Sequence, residues 1–258
     1  MKILVLGAGA FGTALGQILT ENGHEVKYYD PILGVSLEEC LDGAEILVLV
    51  APSFCLPDLL PKLPRDLPLV VATKGILDTS MFEGFDDVMV LSGPAFAEDL
   101  KAHKSATLTA TDERIGKLFG TDYLNFDFTD DVKGVLLCGA LKNVYALLAG
   151  LMKLERDTPE YEENLAIFAE EMRALLAANG GDANTVNLAC GVGDLRLTCG
   201  LPSRNYEFGF VLADNPHEKP EKTVEGLSAL RKIAEGAIVV PDTALRLREL
   251  IERSKEWA

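Results

Sequence analysis

Two groups of residues in this sequence have types and spacings that could do chemistry, one built on glycine and one on charge. Gly7, Gly9 and Gly12 form G-x-G-x-x-G directly after the apolar run Ile3–Leu6 and directly before a segment of helical pattern. Each glycine has a task at this spacing. The first permits a tight turn, the second lets backbone amides approach a pyrophosphate, and the third allows close helix–strand packing. The helix that follows offers unpaired N–H groups and the positive end of its dipole to an anion, with Ala10 and Phe11 in its first turn. Asp30 closes the next apolar run, where a carboxylate can accept from ribose hydroxyls and repel a 2′-phosphate. No Lys or Arg stands between Lys27 and Lys62 to hold such a phosphate. The reading is a dinucleotide site that takes NAD in preference to NADP.

The charged group lies in the second half. Lys142 is the lone charge in the helical stretch from Gly134 to Leu151, and Asp194 follows Gly191-Val-Gly193. Ser203, Arg204 and Asn205 put a hydroxyl, a guanidinium and an amide together at the expected start of a helix, a cradle suited to an anion. The net charge of −16 opposes an anionic ligand, so local cations must supply the attraction. Between Arg156 and Lys219 there are only Arg173, Arg196 and Arg204. His24, His103 and His217 all fall outside these motifs, which leaves lysine as the candidate proton donor. Desolvation or a nearby cation can bring a lysine into the working range, and a carboxylate such as Asp194 can orient its ammonium.

These residues need elements to hold them. Short apolar or β-branched runs at Lys2–Leu6, Glu25–Tyr29, Ile46–Val50, Leu69–Thr73, Val88–Leu91 and Ala106–Ala110 read as strands. Gly12–Asn22 and Phe54–Leu63 read as crossover helices between them, which implies a parallel sheet covered on both faces. After Thr129 the periodicity is helical to the end, as at Val135, Leu136, Leu141 and Leu148. The expected fold class is α/β: a Rossmann-type parallel-sheet domain over residues 1–130, then an all-α substrate and catalytic domain over 131–258.

The bulk properties narrow the class. Five cysteines with no C-x-x-C pair suggest neither a disulfide framework nor a zinc site, and no metal is expected. The negative charge argues against nucleic acid or an anionic membrane as partner. No uninterrupted apolar run approaches a bilayer span, and the N-terminus lacks a secretory pattern, so the expected location is the cytoplasm.

Four further segments carry a resemblance. They are Ala72-Thr-Lys74-Gly75, Ser92-Gly93-Pro94-Ala95-Phe96-Ala97, Gly139-Ala-Leu-Lys142-Asn143-Val, and Gly191-Val-Gly193-Asp194-Leu-Arg-Leu-Thr198-Cys199 leading to Ser203-Arg204-Asn205. With Thr223-Val224-Glu225-Gly226, this order resembles the NAD(P)-dependent glycerol-3-phosphate dehydrogenases from residue 1 to about 250. The resemblance implies interconversion of dihydroxyacetone phosphate and sn-glycerol 3-phosphate by hydride transfer, a supply of glycerophospholipid precursor. It implies Lys142 as the proton donor and acceptor, with Asp194 as its catalytic neighbour on the substrate. Lys74, Gly93, Ser203, Arg204 and Asn205 would join these two in holding the substrate. Lys74, Ala97, Arg204, Val224 and Glu225 would lie along the cofactor with Gly7, Gly9, Ala10, Phe11, Gly12 and Asp30. A homodimer is the family-based expectation.

Three departures stand out. Ala95 replaces the usual Ser or Thr, the stretch from Asp30 to Ala44 is short, and the helix from Glu160 to Asn179 lacks a basic residue near Ile167. Two rival readings are a β-hydroxyacid or ketopantoate-type reductase, and a non-catalytic NAD-binding sensor. The first leaves Gly193-Asp194-Leu with Ser203-Arg204-Asn205 unexplained, and the second leaves the joint presence of Lys142, Asp194 and Arg204 unexplained.

Overall fold

The computed structural model describes residues 1–257. It divides into two compact units, Met1–Lys74 with Thr79–Val132, and Gly75–Asp78 with Lys133–Ala258.

The first unit runs β1 (Lys2–Leu6), α1 (Ala10–Glu21), β2 (Glu25–Tyr29), α2 (Leu37–Leu41), β3 (Ile46–Leu49), α3 (Leu56–Leu59), β4 (Leu69–Val71), β5 (Val88–Ser92), α4 (Ala97–Lys101), β6 (Ala106–Ala110), α5 (Glu113–Phe119) and β7 (Leu124–Phe128). The strands form one sheet in the order β2-β1-β3-β4-β5-β6-β7. β1 pairs in parallel with β2 and β3, through Leu4 opposite Lys27 and Leu4 opposite Leu47. Ile3 and Val5 join Ala14, Leu15 and Ile18 of α1 in one core, while Leu4, Leu6, Leu47 and Leu49 are fully buried as well. Continuous burial along a strand is what a sheet covered on both faces requires.

Three features differ from the sequence-based expectation. β6 runs antiparallel to β5, with Ser92 opposite Thr109, so the sheet is mixed. β7, parallel to β6, was not foreseen. Its Leu124, Phe126 and Phe128 alternate with Asn125 and Asp127, but Asn and Asp are poor strand formers and mask a half-buried strand. The crossover expected over Phe54–Leu63 is not one helix. It breaks into a 3-10 turn at Ser53–Cys55, α3, and another 3-10 turn at Leu60–Lys62. Pro52, Pro57, Pro61 and Pro64 fix φ and withhold amide donors there.

The second unit contains α6 (Val132–Leu151), α7 (Pro159–Ala178), α8 (Asp194–Thr198), α9 (Arg204–Asp214), α10 (Glu225–Ala234) and α11 (Leu245–Ser254), with no strand among its described residues. Every residue of α6 from Gly134 to Leu151 is buried. By length and composition this helix could cross a bilayer, but Lys142 and Asn143 interrupt its apolar run and it is enclosed by the protein itself. Its neighbours approach at backbone distance. A Cβ on Gly209 of α9 would collide with the carbonyl oxygen of Leu147, and one on Gly226 of α10 with that of Asn143.

Polar groups pin the rest. Thr158 caps α7, its hydroxyl accepting from the Tyr161 amide at 3.2 Å, with Pro159 in the first turn. The buried Glu171 carboxylate accepts from the Tyr145 hydroxyl at 2.8 Å and from the Arg246 and Leu247 amides at 2.7 and 3.1 Å. It thereby satisfies the otherwise orphaned amides at the start of α11 with a negative charge at the favourable end of the helix dipole.

Overpacking a backbone junction of this kind costs about 1–3 kcal/mol. Gly209→Ala is expected to lower the thermal midpoint by several degrees, and an unchanged melting curve would contradict so close an approach of α9 to α6.

Candidate active site

In the first unit the turn after β1 is shaped by what it excludes. Gly7 has φ +116, and a Cβ there would lie 2.8 Å from the Ala51 amide nitrogen. A Cβ on Gly12 would strike the Gly7 carbonyl oxygen, whereas Gly9 has nothing within 4 Å. Gly9 caps α1 without any side-chain acceptor, so the first turn of α1, with exposed Ala10, faces outward uncapped by the protein. That combination fits a pyrophosphate on the helix N-terminus. Asp30 is held beside it, accepting from the Ala8 amide at 3.0 Å and the Ile32 amide at 3.2 Å. The Lys74 ammonium lies 5.3 Å from the centre of the Phe11 ring, so the lysine beyond β4 reaches the first turn of α1. Gly93, with φ +148, closes β5 against Leu108, and Ala97 opens α4. β3 and β4 stand between β5 and β1.

In the second unit Lys142 and Asp194 are 2% and 1% exposed and form an ion pair. Asp194 is delivered by an unusual backbone. A π-type turn over Ala189–Gly193 leads directly into α8, and a Cβ on Gly191 would collide with the Val186 carbonyl. Such widened turns leave the regular ladder and can re-aim the residue that follows. Thr198, one turn on, donates its hydroxyl to the Asp194 carbonyl at 2.6 Å and lies 3.3 Å from its Oδ1. The far end of α8 is also tied down. The Tyr161 hydroxyl donates to the Arg196 carbonyl at 3.0 Å, and Arg156 donates to the Leu197 carbonyl at 2.6 Å. Cys199, beside Lys142 and Asp194, is fully buried, and burial pushes its thiol well up, which keeps it neutral.

Ser203 caps α9, its buried hydroxyl 3.5 Å from the Tyr206 amide. Arg204 opens α9 and is exposed. Arg196 pairs with Glu162 and Arg173 with Glu170, whereas Arg204 has no ion-pair partner among the described residues. The Asn205 amide donates to Asn143 Oδ1 at 2.9 Å and accepts from the Gly226 amide at 2.8 Å. Val224 caps α10 and Glu225 begins it, half-buried.

The structure thus groups Gly7, Gly9, Gly12, Phe11, Asp30 and Lys74 in one unit. In the other it joins Lys142 to Asp194, and connects the neighbours of Arg204 and Glu225 to the neighbour of Lys142. Two residues given no role by the sequence reading, Asn143 and Thr198, belong to this group. For Thr198 the i, i+4 spacing from Asp194 is a legible signal. Asn143 carries no such mark.

A glycine turn leading from strand to helix on a largely parallel sheet makes the first unit a Rossmann-type dinucleotide-binding domain. Family models described as the N-terminus and C-terminus of NAD-dependent glycerol-3-phosphate dehydrogenase match residues 2–31 and 131–252. A Pseudomonas fluorescens protein named glycerol-3-phosphate dehydrogenase, NAD(P)+, is 33% identical over 91% of this chain and 78% of its own length. A Leptospira biflexa protein of the same name is 30% identical, over 92% and 85%. The crystal structure of glycerol-3-phosphate dehydrogenase from Coxiella burnetii has this fold, with TM-score 0.81, 22% identity, and 99% and 98% of the two chains covered. The chain belongs to the NAD-dependent glycerol-3-phosphate dehydrogenase family.

A buried pair broken on one side leaves an uncompensated charge, at a cost of about 3–5 kcal/mol. Asp194→Ala is expected to lose stability on that scale in chemical denaturation, and Asp194→Leu combined with Lys142→Met to recover most of it. Equal stability of the single variant and the original protein would place the ammonium in water.

Proposed function

We propose that this protein interconverts dihydroxyacetone phosphate and sn-glycerol 3-phosphate with a nicotinamide dinucleotide. The reading is carried by Lys142, a single ammonium enclosed in an apolar helix and held by Asp194. A surface lysine would not be desolvated in this way, and a structural one would not need a carboxylate delivered by a π-type turn. The bound dinucleotide would supply the hydride that adds to C2 of the ketone. Lys142 Nζ gives its proton to the C2 oxygen and takes it back in the oxidative direction, so bonds and charges balance at each end. Asp194, fixed through Thr198, orients that ammonium. Arg204, without an ion-pair partner among the described residues, and the start of α9 hold the phosphate dianion. Ser203 adds its hydroxyl, and Lys74 and Gly93 contribute from the sheet unit. Asp194, Lys142 and Asn205 complete the substrate set that the family resemblance implies.

For the cofactor we infer NAD over NADP, held at Gly7, Gly9, Ala10, Phe11, Gly12, Asp30, Lys74, Ala97, Arg204, Val224 and Glu225. Asp30 supports this choice, because its carboxylate is anchored to the glycine turn by the Ala8 amide and would repel a 2′-phosphate. The five free cysteines agree with a reducing cytoplasm. The other parts of the proposal are a homodimer, no nucleic-acid or membrane partner, and a role in supplying glycerophospholipid precursor.

Purified protein is expected to oxidise NADH when dihydroxyacetone phosphate is added, and to use NADPH less well. A preference for NADPH of about tenfold, or 1.4 kcal/mol, would refute the role given to Asp30. Failure with both cofactors would refute the activity. Lys142→Ala should lower kcat by roughly two to four orders of magnitude while NADH binding persists. Arg204→Ala should mainly raise the KM for the phosphorylated substrate, by about tenfold to a hundredfold. Near-normal turnover of the lysine variant would remove Lys142 from proton transfer.

A further inference from the structure

We infer that Arg156 is a positioning residue for catalysis. From the loop between α6 and α7 it grips the foot of α8, and so fixes where that helix aims Asp194 at Lys142. The inference rests on the activity proposed above and adds a residue outside the substrate and cofactor sets.

α8 cannot hold itself. It has five residues, Asp194–Thr198, and so short a helix makes too few backbone bonds to offset the cost of its nucleus. Its last carbonyls have no partner within the helix. Asp194 is its first residue, so a tilt or slip at the foot is carried to the carboxylate at the head.

The foot is held from outside through two consecutive carbonyls. That of Arg196 accepts from the Tyr161 hydroxyl at 3.0 Å, and that of Leu197 accepts from Arg156 Nη2 at 2.6 Å. The second bond is charge-assisted and sets a cation at the negative end of the helix dipole. A Cβ on Gly200 would collide with Arg156 Nε, so the guanidinium lies directly against the turn that leads from α8 to Ser203.

The loop is shaped for this reach. Lys153 and Asp157, on either side of Arg156, both adopt left-handed backbone, with φ +54 and +65. Such strain persists only where the surroundings impose it. Here they do so at three places. Lys153 pairs with Asp214 at the end of α9 at 2.6 Å, the Leu154 carbonyl accepts from the Tyr206 hydroxyl at 2.6 Å, and Arg156 takes the foot of α8. One loop therefore registers α8, which carries Asp194, against α9, which opens with Arg204. Arg156 itself is exposed, so its side chain can be removed without opening the core.

The test compares dihydroxyacetone phosphate with dihydroxyacetone, which has the same ketone and no phosphate. Arg156→Ala is expected to lower kcat for both by about tenfold to a hundredfold, as a misplacement on the order of 1 Å would. KM should change little, and the ratio of kcat/KM between the two substrates should be kept. A collapsed ratio would make Arg156 a phosphate ligand and overturn the inference, as would unaltered kcat. Arg156→Lys keeps a cationic donor and Arg156→Met does not, so the lysine variant should retain the higher kcat; equal loss in both would count against the bond to Leu197. Gly200→Ala pushes the guanidinium off the turn without deleting it. If both residues act through that one bond, Gly200→Ala combined with Arg156→Ala should lose no more than the worse single variant. Losses that multiply would overturn the inference.

Amide hydrogen exchange gives a reading that needs no turnover. The Cys199 amide, which donates to the Leu195 carbonyl at 2.9 Å, reports on the foot of α8. It should exchange faster in Arg156→Ala while the amides of α7 keep their protection. Equal exchange in both proteins would overturn the inference. If the original protein failed to reduce dihydroxyacetone phosphate, the proposed activity would fall while the exchange experiment still judged the grip of Arg156 on α8.

Discussion

The structure is organised around one costly interaction, the enclosure of the Lys142 ammonium and the Asp194 carboxylate together. Removing either ion from water costs several kcal/mol even after relaxation, and mutual attraction offsets this only when the geometry is good and further hydrogen bonds are made. Much of the second unit can be understood as meeting that condition. α6 leaves Lys142 only 2% exposed, within a helix buried along its length from Gly134. Asp194 is aimed by a π-type turn, and its helix is held at one end by Thr198 and at the other by Tyr161 and Arg156. A pair placed only to stabilise the fold would be a poor investment beside well-packed hydrophobic side chains. Its retention is understandable when a proton must be kept at a defined point in a dry environment, where it can be given to a substrate oxygen.

The elements that hold these groups were legible to different degrees, for physical reasons. Six strands stood out because a sheet covered on both faces demands unbroken apolar runs, and β1, β2 and β6 keep the boundaries the pattern implied. The glycine turn was legible because three positions there cannot tolerate a side chain or need room for a ligand. β7 was hidden by Asn125 and Asp127, and the antiparallel turn of β6 leaves no trace in local composition. The long helix α6 was visible by its periodicity, but the enclosure that distinguishes it from a membrane span is a property of its neighbours.

The site shows the same division. Lys142, Asp194 and Arg204 could be named because charge is rare in their surroundings. The connections that give these residues fixed places could not. Asn205 meets Asn143 and Gly226 across long stretches of sequence, as Glu171 meets Tyr145 and the start of α11. Side chain to backbone bonds of this kind obey no period. They are chosen by whichever helix end lies within reach once the apolar faces have packed. Sequence reading therefore finds isolated charges before it finds the side chains that fix their places.

The departures from the family pattern can be weighed in the same terms. Ala95 is buried with the core on the α1 face, so the absent hydroxyl is replaced by apolar packing rather than by an open space. The shortened stretch after Asp30 folds compactly. Asp30 caps the turn Pro31–Leu33, and Ser36 and Glu39 form a reciprocal cap on α2. What the shortening leaves uncovered is apolar, since Ile32 is 87% exposed beside the anchored carboxylate. The Asp30 carboxylate is therefore kept beside the glycine turn, while the surface around it is pared down. A chain with net charge −16 does not attract a phosphate through its overall field, so its binding must come from short-range cations and helix ends. Arg173 and Arg196 are already committed to glutamates. Arg204 stands at the start of α9 without such a partner among the described residues, and in a protein this acidic an uncompensated guanidinium is the feature that asks for a ligand.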